Sequence, residues 1–261
     1  MTVRIGDIDV NFRESGTGIP TVFIHGLGED HRSWGKVQDA LTDFHTFAYD
    51  LRGHGKTSLG DAEGTLAQLG GDLIAFLEAQ TGPANCAGFS LGGTVVMWTA
   101  IHRPDLVRRA VIVGSSSVVG GAAEAFYHDR IAKVQSDLPG FLDGLSEETG
   151  KQLAGDNADL ETVAAWRREA VGDGRGYMNA ARAMAGIRQQ PLTPQLAQIS
   201  CPVDVIGADK DVFCPKKAAD IICGGIPGAA YSEIAGAGHL MSIDQPEIYA
   251  DTLRAALNRA A

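Results

Sequence analysis

The sequence predicts an α/β protein with a mostly parallel, eight-stranded sheet, helices on both faces of the sheet and a helical cap insertion. Short apolar runs alternate with helix-length stretches, which is typical of right-handed β–α–β crossovers. One long interval breaks this alternation and carries only helical spacing. Glycine is abundant, with 33 of 261 residues spread along the chain, and this suits a fold with many tight turns.

The eight strands are predicted from short apolar runs bounded by turn residues. The first two flank Gly6-Asp7 and are expected to form a hairpin. The predicted strands span residues 3–5, 8–12, 21–24, 46–49, 84–87, 110–113, 203–206 and 230–234. The helices between them are predicted at 66–79, 94–101, 215–222 and 246–257, where apolar residues recur at helical spacing.

The cap is predicted from the interval 117–190, which has no strand-like run. Helical patterns cover residues 126–134, 160–170 and 177–187, and Pro191 and Pro194 mark the return to the sheet. We therefore expect a core formed by residues 1–116 and 191–261, with residues 117–190 as a helical cap above it.

Composition excludes several functional classes. The net charge of −10 argues against a nucleic-acid partner, because binding to phosphates needs a basic face. No apolar run approaches the ~18 residues of a membrane span. The four cysteines lack CxxC and zinc spacing, so we expect reduced thiols and a cytoplasmic location. The oligomeric state stays open, and a homo-oligomer is one option.

The candidate nucleophile is Ser90, in the sequence Gly88-Phe89-Ser90-Leu91-Gly92. This G-x-S-x-G pattern places a serine on a strained turn between a strand and a helix. Its context fits, because a predicted strand precedes it and an apolar helical stretch follows it. A structural glycine-rich turn is the less favoured interpretation.

A serine nucleophile needs a general base, and the base an orienting acid. His239 follows the last predicted strand and the sequence Gly236-Ala237-Gly238, which is where this fold class positions a base. The acid is expected after the strand at 203–206, where Asp211 is preferred over Asp209 because it stands near Pro215. The order Ser90, Asp211, His239 is the expected chain order for this layout.

Two backbone N–H groups are expected to form the oxyanion hole. One is that of Leu91, directly after the nucleophile, and the other that of Leu27, in the loop after the strand at 21–24. His25 is interpreted as a structural residue that braces this loop.

No cofactor and no metal are expected. The sequence Gly53-His54-Gly55-Lys56-Thr57 ends like a phosphate-binding loop, but Asp50 replaces the glycine that such a loop requires.

These motifs together resemble the α/β-hydrolase superfamily. They are His25-Gly26, the segment 49–55 (Tyr-Asp-Leu-Arg-Gly-His-Gly), the segment 88–92 and Ala237-Gly238-His239. The resemblance spans the sheet from about residue 20 to 250 but not the cap, and it implies an eight-stranded α/β-hydrolase sheet.

A closer resemblance is to 3-oxoadipate enol-lactonases. It rests on Leu27-Gly28 followed by Trp34, on the segments 50–55 and 176–180, and on the C-terminal segments 226–229, 237–240 and 244–247. It implies a serine hydrolase that forms an acyl-serine from a small ester or lactone.

Three alternatives remain open: a hydrolase of carbon–carbon bonds in vinylogous diketones, a cofactor-free dioxygenase and a non-catalytic ligand receptor. Haloalkane dehalogenases and epoxide hydrolases are disfavoured, because both have an aspartate where this chain has Ser90.

An enol-lactone carries a carboxylate, so the resemblance implies a cation in the substrate pocket. The candidates on predicted cap helices are Arg130, Arg167 and Arg182. Trp34 and Trp166 are candidate pocket-lining residues. The expected partner is thus a small-molecule ester or lactone, with neither nucleic acid nor membrane involved.

Overall fold

The protein, a computed structural model that describes residues 1–155 and 159–260, is built around one eight-stranded sheet. The strands are β1 (Thr2–Ile5), β2 (Ile8–Ser15), β3 (Ile19–Ile24), β4 (Phe44–Tyr49), β5 (Ala84–Phe89), β6 (Val107–Val113), β7 (Val203–Ala208) and β8 (Ala230–Ile234). Residues 156–158 of the predicted cap and residue 261 of the predicted core lie outside the described residues.

The sheet has the order β1-β2-β4-β3-β5-β6-β7-β8. β1 pairs antiparallel with β2, and β2 antiparallel with β4, whereas every later pairing is parallel. The predicted hairpin and the mostly parallel sheet are therefore confirmed. The strand order reverses at β3, and crevices for ligands form at such a reversal beyond the carboxyl ends of the strands.

Helices cover both faces of the sheet, as predicted. They are α1 (Gly35–Ala40), α2 (Leu66–Phe76), α3 (Leu91–His102), α4 (Gly121–Ser136), α5 (Leu138–Asp143), α6 (Leu145–Gly150), α7 (Leu160–Val171), α8 (Arg175–Gly186), α9 (Lys216–Gly225), α10 (Met241–Asp244) and α11 (Pro246–Asn258). Within the described residues, no helix is both long and apolar enough to cross a bilayer.

Two apolar clusters hold these layers together, because alternate residues of a buried strand face opposite sides. In β6, Ile112 packs in the cluster that contains α2, α3 and α9 residues. Its neighbours Val111 and Val113 pack in the other cluster, with α1 and α11. The strands are thus covered on both faces, and their carboxyl ends stay open to loops.

The helices α4–α8 lie between β6 and β7, and they enclose a small apolar cluster of their own. In it the rings of Phe141 and Tyr177 lie 4.9 Å apart in an edge-to-face arrangement. Helices α5 and α6 were not expected, because each is short and Pro139 and Gly144 interrupt the helical pattern there. The division into a core and a cap at 117 and 190 stays a prediction.

Helix α8 attaches this helical segment to the turn that follows β4. A Cβ atom on Gly176 would lie 2.0 Å from the carbonyl oxygen of Gly53, so the two backbones meet where only glycine fits. Nearby, the Gly55 N–H donates to the Ala170 carbonyl at 2.9 Å. The helices are thereby held over the carboxyl ends of the central strands.

Candidate active site

Ser90 occupies a sharp turn between β5 and α3. Its φ of 52° and ψ of −117° make it the single non-glycine residue with positive φ in the described part of the chain. Its N–H donates to the Val113 carbonyl at 2.8 Å, which fixes the turn against β6. Backbone strain of this kind costs on the order of 1–3 kcal/mol and persists where the surroundings enforce it.

The glycines around Ser90 are required by close backbone contacts. A Cβ atom on Gly92 would lie 2.2 Å from the Ile24 carbonyl oxygen, and one on Gly88 would lie 2.3 Å from the Gly92 backbone. Helix α3 therefore begins at Leu91, three residues before the predicted stretch, because the turn passes straight into the helix.

His239 lies between Ser90 and Asp211. Its Nε2 is 3.2 Å from the Ser90 hydroxyl, and its Nδ1 is 2.8 Å from Oδ2 of Asp211. Only 6% of His239 is exposed, and the rings of Phe89 and Phe213 lie 4.8 and 5.4 Å from the imidazole. The structure thus brings the three residues selected from the sequence into one hydrogen-bonded chain.

Asp211, rather than Asp209, contacts His239. Its Oδ1 accepts hydrogen bonds from the N–H groups of Phe213 and Cys214, each at 2.9 Å. Burial would raise the pKa of the Asp211 carboxyl, but the bond with His239 and these N–H groups together lower that pKa below its ordinary value. The carboxylate is therefore ionised near neutral pH and can hold the Nδ1 proton of the imidazole.

Asp209 has a different structural position. Its Oδ1 accepts a hydrogen bond from the Gly236 N–H at 2.7 Å, so it braces the loop that leads to His239.

Leu27 and Leu91 both lie beside Ser90, as the oxyanion-hole prediction requires. Leu27 lines the same cavity as Ser90, and Leu91 begins the helix that follows it. Within the described residues, neither N–H donates to another protein atom, so both are available to a ligand. His25 accepts the Leu51 N–H through Nε2 at 2.8 Å, and it therefore braces this loop.

A cavity of about 240 Å³ adjoins Ser90 and His239. Aromatic and aliphatic side chains form much of its wall, and a few polar side chains form the rest. The lining residues outside the hydrogen-bonded chain include Glu29, Phe126, Tyr127, Glu148, Gln152, Arg167, Val212 and Phe213. Such a volume suits a small substrate.

Arg167 is the only one of the three predicted arginines that lines this cavity. It is 3% exposed, and its Nη1 donates to Thr149 Oγ1 at 2.9 Å. In the described part of the chain it has no carboxylate partner. Its guanidinium is thus a buried cation that can bind an anionic group of a ligand.

The structure does not bring Arg130 and Arg182 to the cavity wall. Arg130 forms an ion pair with Glu148 and lies 4.3 Å above the Phe141 ring. Arg182 is exposed on α8, beside Gly64. The substrate role predicted for these two arginines therefore has no geometric support.

Neither predicted tryptophan lines the cavity. Trp34 is 1% exposed and stacks on Phe23 at 4.7 Å, which makes it a core residue. Trp166 packs against the same core cluster, and Arg32 lies 5.8 Å above its ring. The pocket role predicted for these two tryptophans therefore has no geometric support.

Several cavity residues were missed in the sequence. Val212 and Phe213 directly follow Asp211, and their exposed fractions are 76% and 39%. The sequence did contain a signal for them, since two consecutive apolar residues stand in a polar loop directly after the predicted acid. Glu29 gave no signal, because acidic residues in loops are common on solvated surfaces.

Cys214 also lines the cavity but is a poor candidate nucleophile. Burial raises the pKa of its thiol to about 12, and the nearby Asp211 carboxylate adds to the rise. The thiolate is the reactive form of cysteine, so it is scarce here near neutral pH.

One group of side chains has suitable atoms for a metal ion. Ligand atoms of Asp30, His31 and Asp50 lie within 4.8 Å of one another. The Asp30 carboxylate already pairs with Arg32 at 2.7 Å, and Asp50 with His31 at 2.6 Å. Internal ion pairs thus use these atoms.

Known proteins resemble the whole chain. The family model described as the alpha/beta hydrolase fold matches residues 20–246. The 3-oxoadipate enol-lactonase 2 of Acinetobacter baylyi is 25% identical over 270 residues, which cover 99% of this chain and 96% of that protein. The pyrrolizixenacetamide deacetylase of Xenorhabdus hominickii is 28% identical over 264 residues, which cover 98% and 97%.

A solved structure agrees in fold. The enol-lactonase from Burkholderia xenovorans LB400 superposes with a TM-score of 0.88 over 99% of this chain and 100% of that one, at 22% identity. An enol-lactonase and a deacetylase thus both match nearly the full chain, and their shared feature is the scaffold rather than one substrate.

Proposed function

This chain belongs to the family with the alpha/beta hydrolase fold, as its motifs predicted, and we propose that it is a serine hydrolase of small carboxylic esters or lactones. The observation that carries the proposal is the set of hydrogen bonds that links Ser90 through His239 to Asp211 beside a cavity.

The first half of the reaction forms an acyl-serine. The Ser90 Oγ attacks the substrate carbonyl carbon while Nε2 of His239 takes the hydroxyl proton. Asp211 holds the Nδ1 proton and stabilises the imidazolium without becoming protonated. The N–H groups of Leu27 and Leu91 stabilise the oxyanion, and each such donor is worth ~10²–10³ in rate. The imidazolium of His239 completes this half by giving its proton to the leaving oxygen of the alcohol as the bond between that oxygen and the carbonyl carbon breaks.

In the second half, the neutral imidazole takes a proton from a water molecule that attacks the acyl-serine carbonyl carbon. The proton then passes to Ser90 Oγ as its bond to the acyl group breaks and the acid leaves. In a lactone the alcohol and the acyl group are one molecule, so the released product is a single hydroxy acid.

The cavity favours a small substrate that carries a carboxylate. A volume of about 240 Å³ leaves little room for a long acyl chain. The guanidinium of Arg167 can bind a carboxylate through charge-assisted hydrogen bonds. Similarity to the Acinetobacter enol-lactonase agrees with this chemistry, and we therefore favour a carboxylated lactone within the ester and lactone class.

A serine-directed phosphonate probe tests the mechanism. We expect stoichiometric labelling of the wild-type protein and of Ser136→Ala, which changes an exposed serine at the end of α4. Ser90→Ala should not react. Labelling that persists in Ser90→Ala would exclude Ser90 as the nucleophile, and an unlabelled wild-type protein would favour the receptor or dioxygenase interpretation.

A substrate panel then tests the class. We expect hydrolysis of p-nitrophenyl acetate and butyrate to exceed that of the octanoate, and small lactones to be opened. Cleavage of a vinylogous diketone in the absence of any ester or lactone hydrolysis would replace this proposal by the carbon–carbon hydrolase.

A further inference from the structure

Glu29 is a buried carboxylate in the wall of the catalytic cavity that the proposed mechanism does not use. It is 2% exposed, and its Oε2 accepts one hydrogen bond, from the Gly26 N–H at 3.2 Å. In the described part of the chain it forms no ion pair. Burying a charged group without a partner is costly, so a carboxylate in the wall of the cavity that contains Ser90 calls for a ligand.

Glu29 and Arg167 contact the same loop from its two ends. Glu29 accepts the N–H of Gly26, and Nε of Arg167 points at the carbonyl of Gly28 at 3.5 Å. Leu27, whose N–H is assigned to the oxyanion hole, lies between these contacts. The cavity therefore presents one buried anion and one buried cation, each without a protein counterion among the described residues, close to the oxyanion hole.

The third charge in the wall is already neutralised. Glu148 pairs with Arg130, so it offers no net charge to a ligand. This leaves Glu29 as the cavity carboxylate that a cationic or hydrogen-bond-donating group can reach.

We propose that Glu29 binds a protonated amine of the substrate, so that the preferred substrates are zwitterionic: a carboxylate at Arg167 and an ammonium group at Glu29, with the ester or lactone carbonyl at Ser90. The proposal rests on the hydrolase function above and names its substrate class more closely. A purely anionic substrate fits less well, because Glu29 would repel it.

The hydrogen bond to Gly26 needs only an acceptor and does not need the charge. Glu29→Gln keeps a side-chain oxygen for this bond and has nearly the same volume. It therefore removes the charge and leaves the loop supported, which separates a structural role from substrate binding.

Three methyl esters with one carbon skeleton form the test. Methyl pentanoate is neutral, monomethyl glutarate adds a carboxylate, and the γ-methyl ester of glutamate adds both a carboxylate and an ammonium group. For the wild-type protein we expect the glutamate ester to exceed monomethyl glutarate in kcat/KM by about tenfold or more, as one charge-assisted contact allows.

The variant should reverse this preference. In Glu29→Gln we expect kcat/KM for the glutamate ester to fall by about tenfold, and that for monomethyl glutarate to rise about threefold as the repulsion disappears. The matched control Glu247→Gln, at an exposed position of α11, should keep the wild-type order. Equal responses of both esters to Glu29→Gln, or a wild-type preference for monomethyl glutarate, would overturn the proposal.

Binding to Ser90→Ala, measured by calorimetry, distinguishes this proposal from the hydrolase function. Tighter binding of the glutamate ester than of monomethyl glutarate, lost when Glu29→Gln is added, supports the role of Glu29 even if no ester is cleaved. Equal binding of the two esters while hydrolysis proceeds would refute the role of Glu29 and leave the hydrolase intact.

Discussion

Two histidine–aspartate pairs of similar geometry lie in loops of this molecule. Nδ1 of His239 is 2.8 Å from Asp211, and Nδ1 of His31 is 2.6 Å from Asp50. Both aspartate side chains are fully buried. The pairs differ in the further group that each one contacts. In the first pair, Nε2 of His239 lies within hydrogen-bond distance of the Ser90 hydroxyl. In the second pair, Asp50 also accepts a hydrogen bond from the Lys56 N–H and so connects two loops. Pair geometry alone therefore does not identify a catalytic base.

The largest expected effect separates the two histidines. Ser90→Ala and His239→Ala should each lower kcat by about 10⁴-fold or more, and the double variant should lose little beyond that, because the groups act as a unit. His31→Ala should keep kcat within a few-fold at a temperature where it is folded. Strictly additive losses at Ser90 and His239 would contradict a shared mechanism.

The next comparison is between the aspartates. Asp211→Asn should lower kcat by ~10⁴, because the amide favours the wrong imidazole tautomer. Asp209→Asn should cost less than about tenfold, since its contact is the loop N–H of Gly236. The check is steady-state kinetics on one ester, and a larger loss at Asp209 would mean that the acid was assigned to the wrong residue.

Local sequence, together with the predicted fold class, was sufficient to predict which residues form the hydrogen-bonded set Ser90, His239 and Asp211. The turn at Ser90 needs glycine at fixed offsets, since Gly88 and Gly92 meet neighbouring backbone directly. The strand order then brings the loops carrying Asp211 and His239 to the same edge of the sheet. The glycine requirement acts over a few residues, and the strand order follows from the fold class. Both kinds of constraint can be recognised in a single sequence.

The cavity wall could not be predicted in the same way. Arg130 and Arg167 both lie on helices between β6 and β7, but Arg130 pairs with Glu148 whereas Arg167 lines the cavity. Trp34 is a core residue because Phe23 stacks on its ring and the tilted ring of Tyr249, from a distant segment, packs beside it. Partners of this kind are set by tertiary packing, which a helical or aromatic pattern does not specify.

The arginines allow a further comparison, between a charged side chain that forms an ion pair and one that has no carboxylate partner among the described residues. Arg167→Gln should raise KM for a carboxylated lactone by about tenfold and leave a neutral ester nearly unchanged, since one charge-assisted contact is lost. Arg182→Gln, on the exposed side of α8, is the matched control and should affect neither substrate. Equal responses of the charged and neutral substrates to Arg167→Gln would remove the physical support for an anionic substrate group.

The smallest expected effect is on the free energy of unfolding, and it tests the pair formed by His31 and Asp50. The hydrogen bond with Asp50 raises the pKa of His31, although burial opposes the rise. Burial would raise the pKa of Asp50, but His31 and two N–H groups together lower it from 3.8 to about 2. The contribution of His31 to the free energy of unfolding is therefore present below its ordinary pKa of 6.5. This contribution is lost as the pH rises through the raised pKa of His31 in the folded protein. The contribution of Asp50 to the free energy of unfolding is present above its ordinary pKa of 3.8 and is lost as the pH falls towards the lowered pKa of about 2.

A thermal unfolding series checks this prediction. Between pH 6 and 9 we expect the wild-type Tm to fall by about 2–4 °C more than that of His31→Asn, which corresponds to roughly 1 kcal/mol for a chain of this size. The His45–Glu14 contact is present in both proteins, so its contribution to Tm cancels in the difference. Parallel Tm profiles for the two proteins would show that the His31–Asp50 contact is not formed by a charged imidazole, and the two pairs would then differ in protonation as well as in the further group that each one contacts.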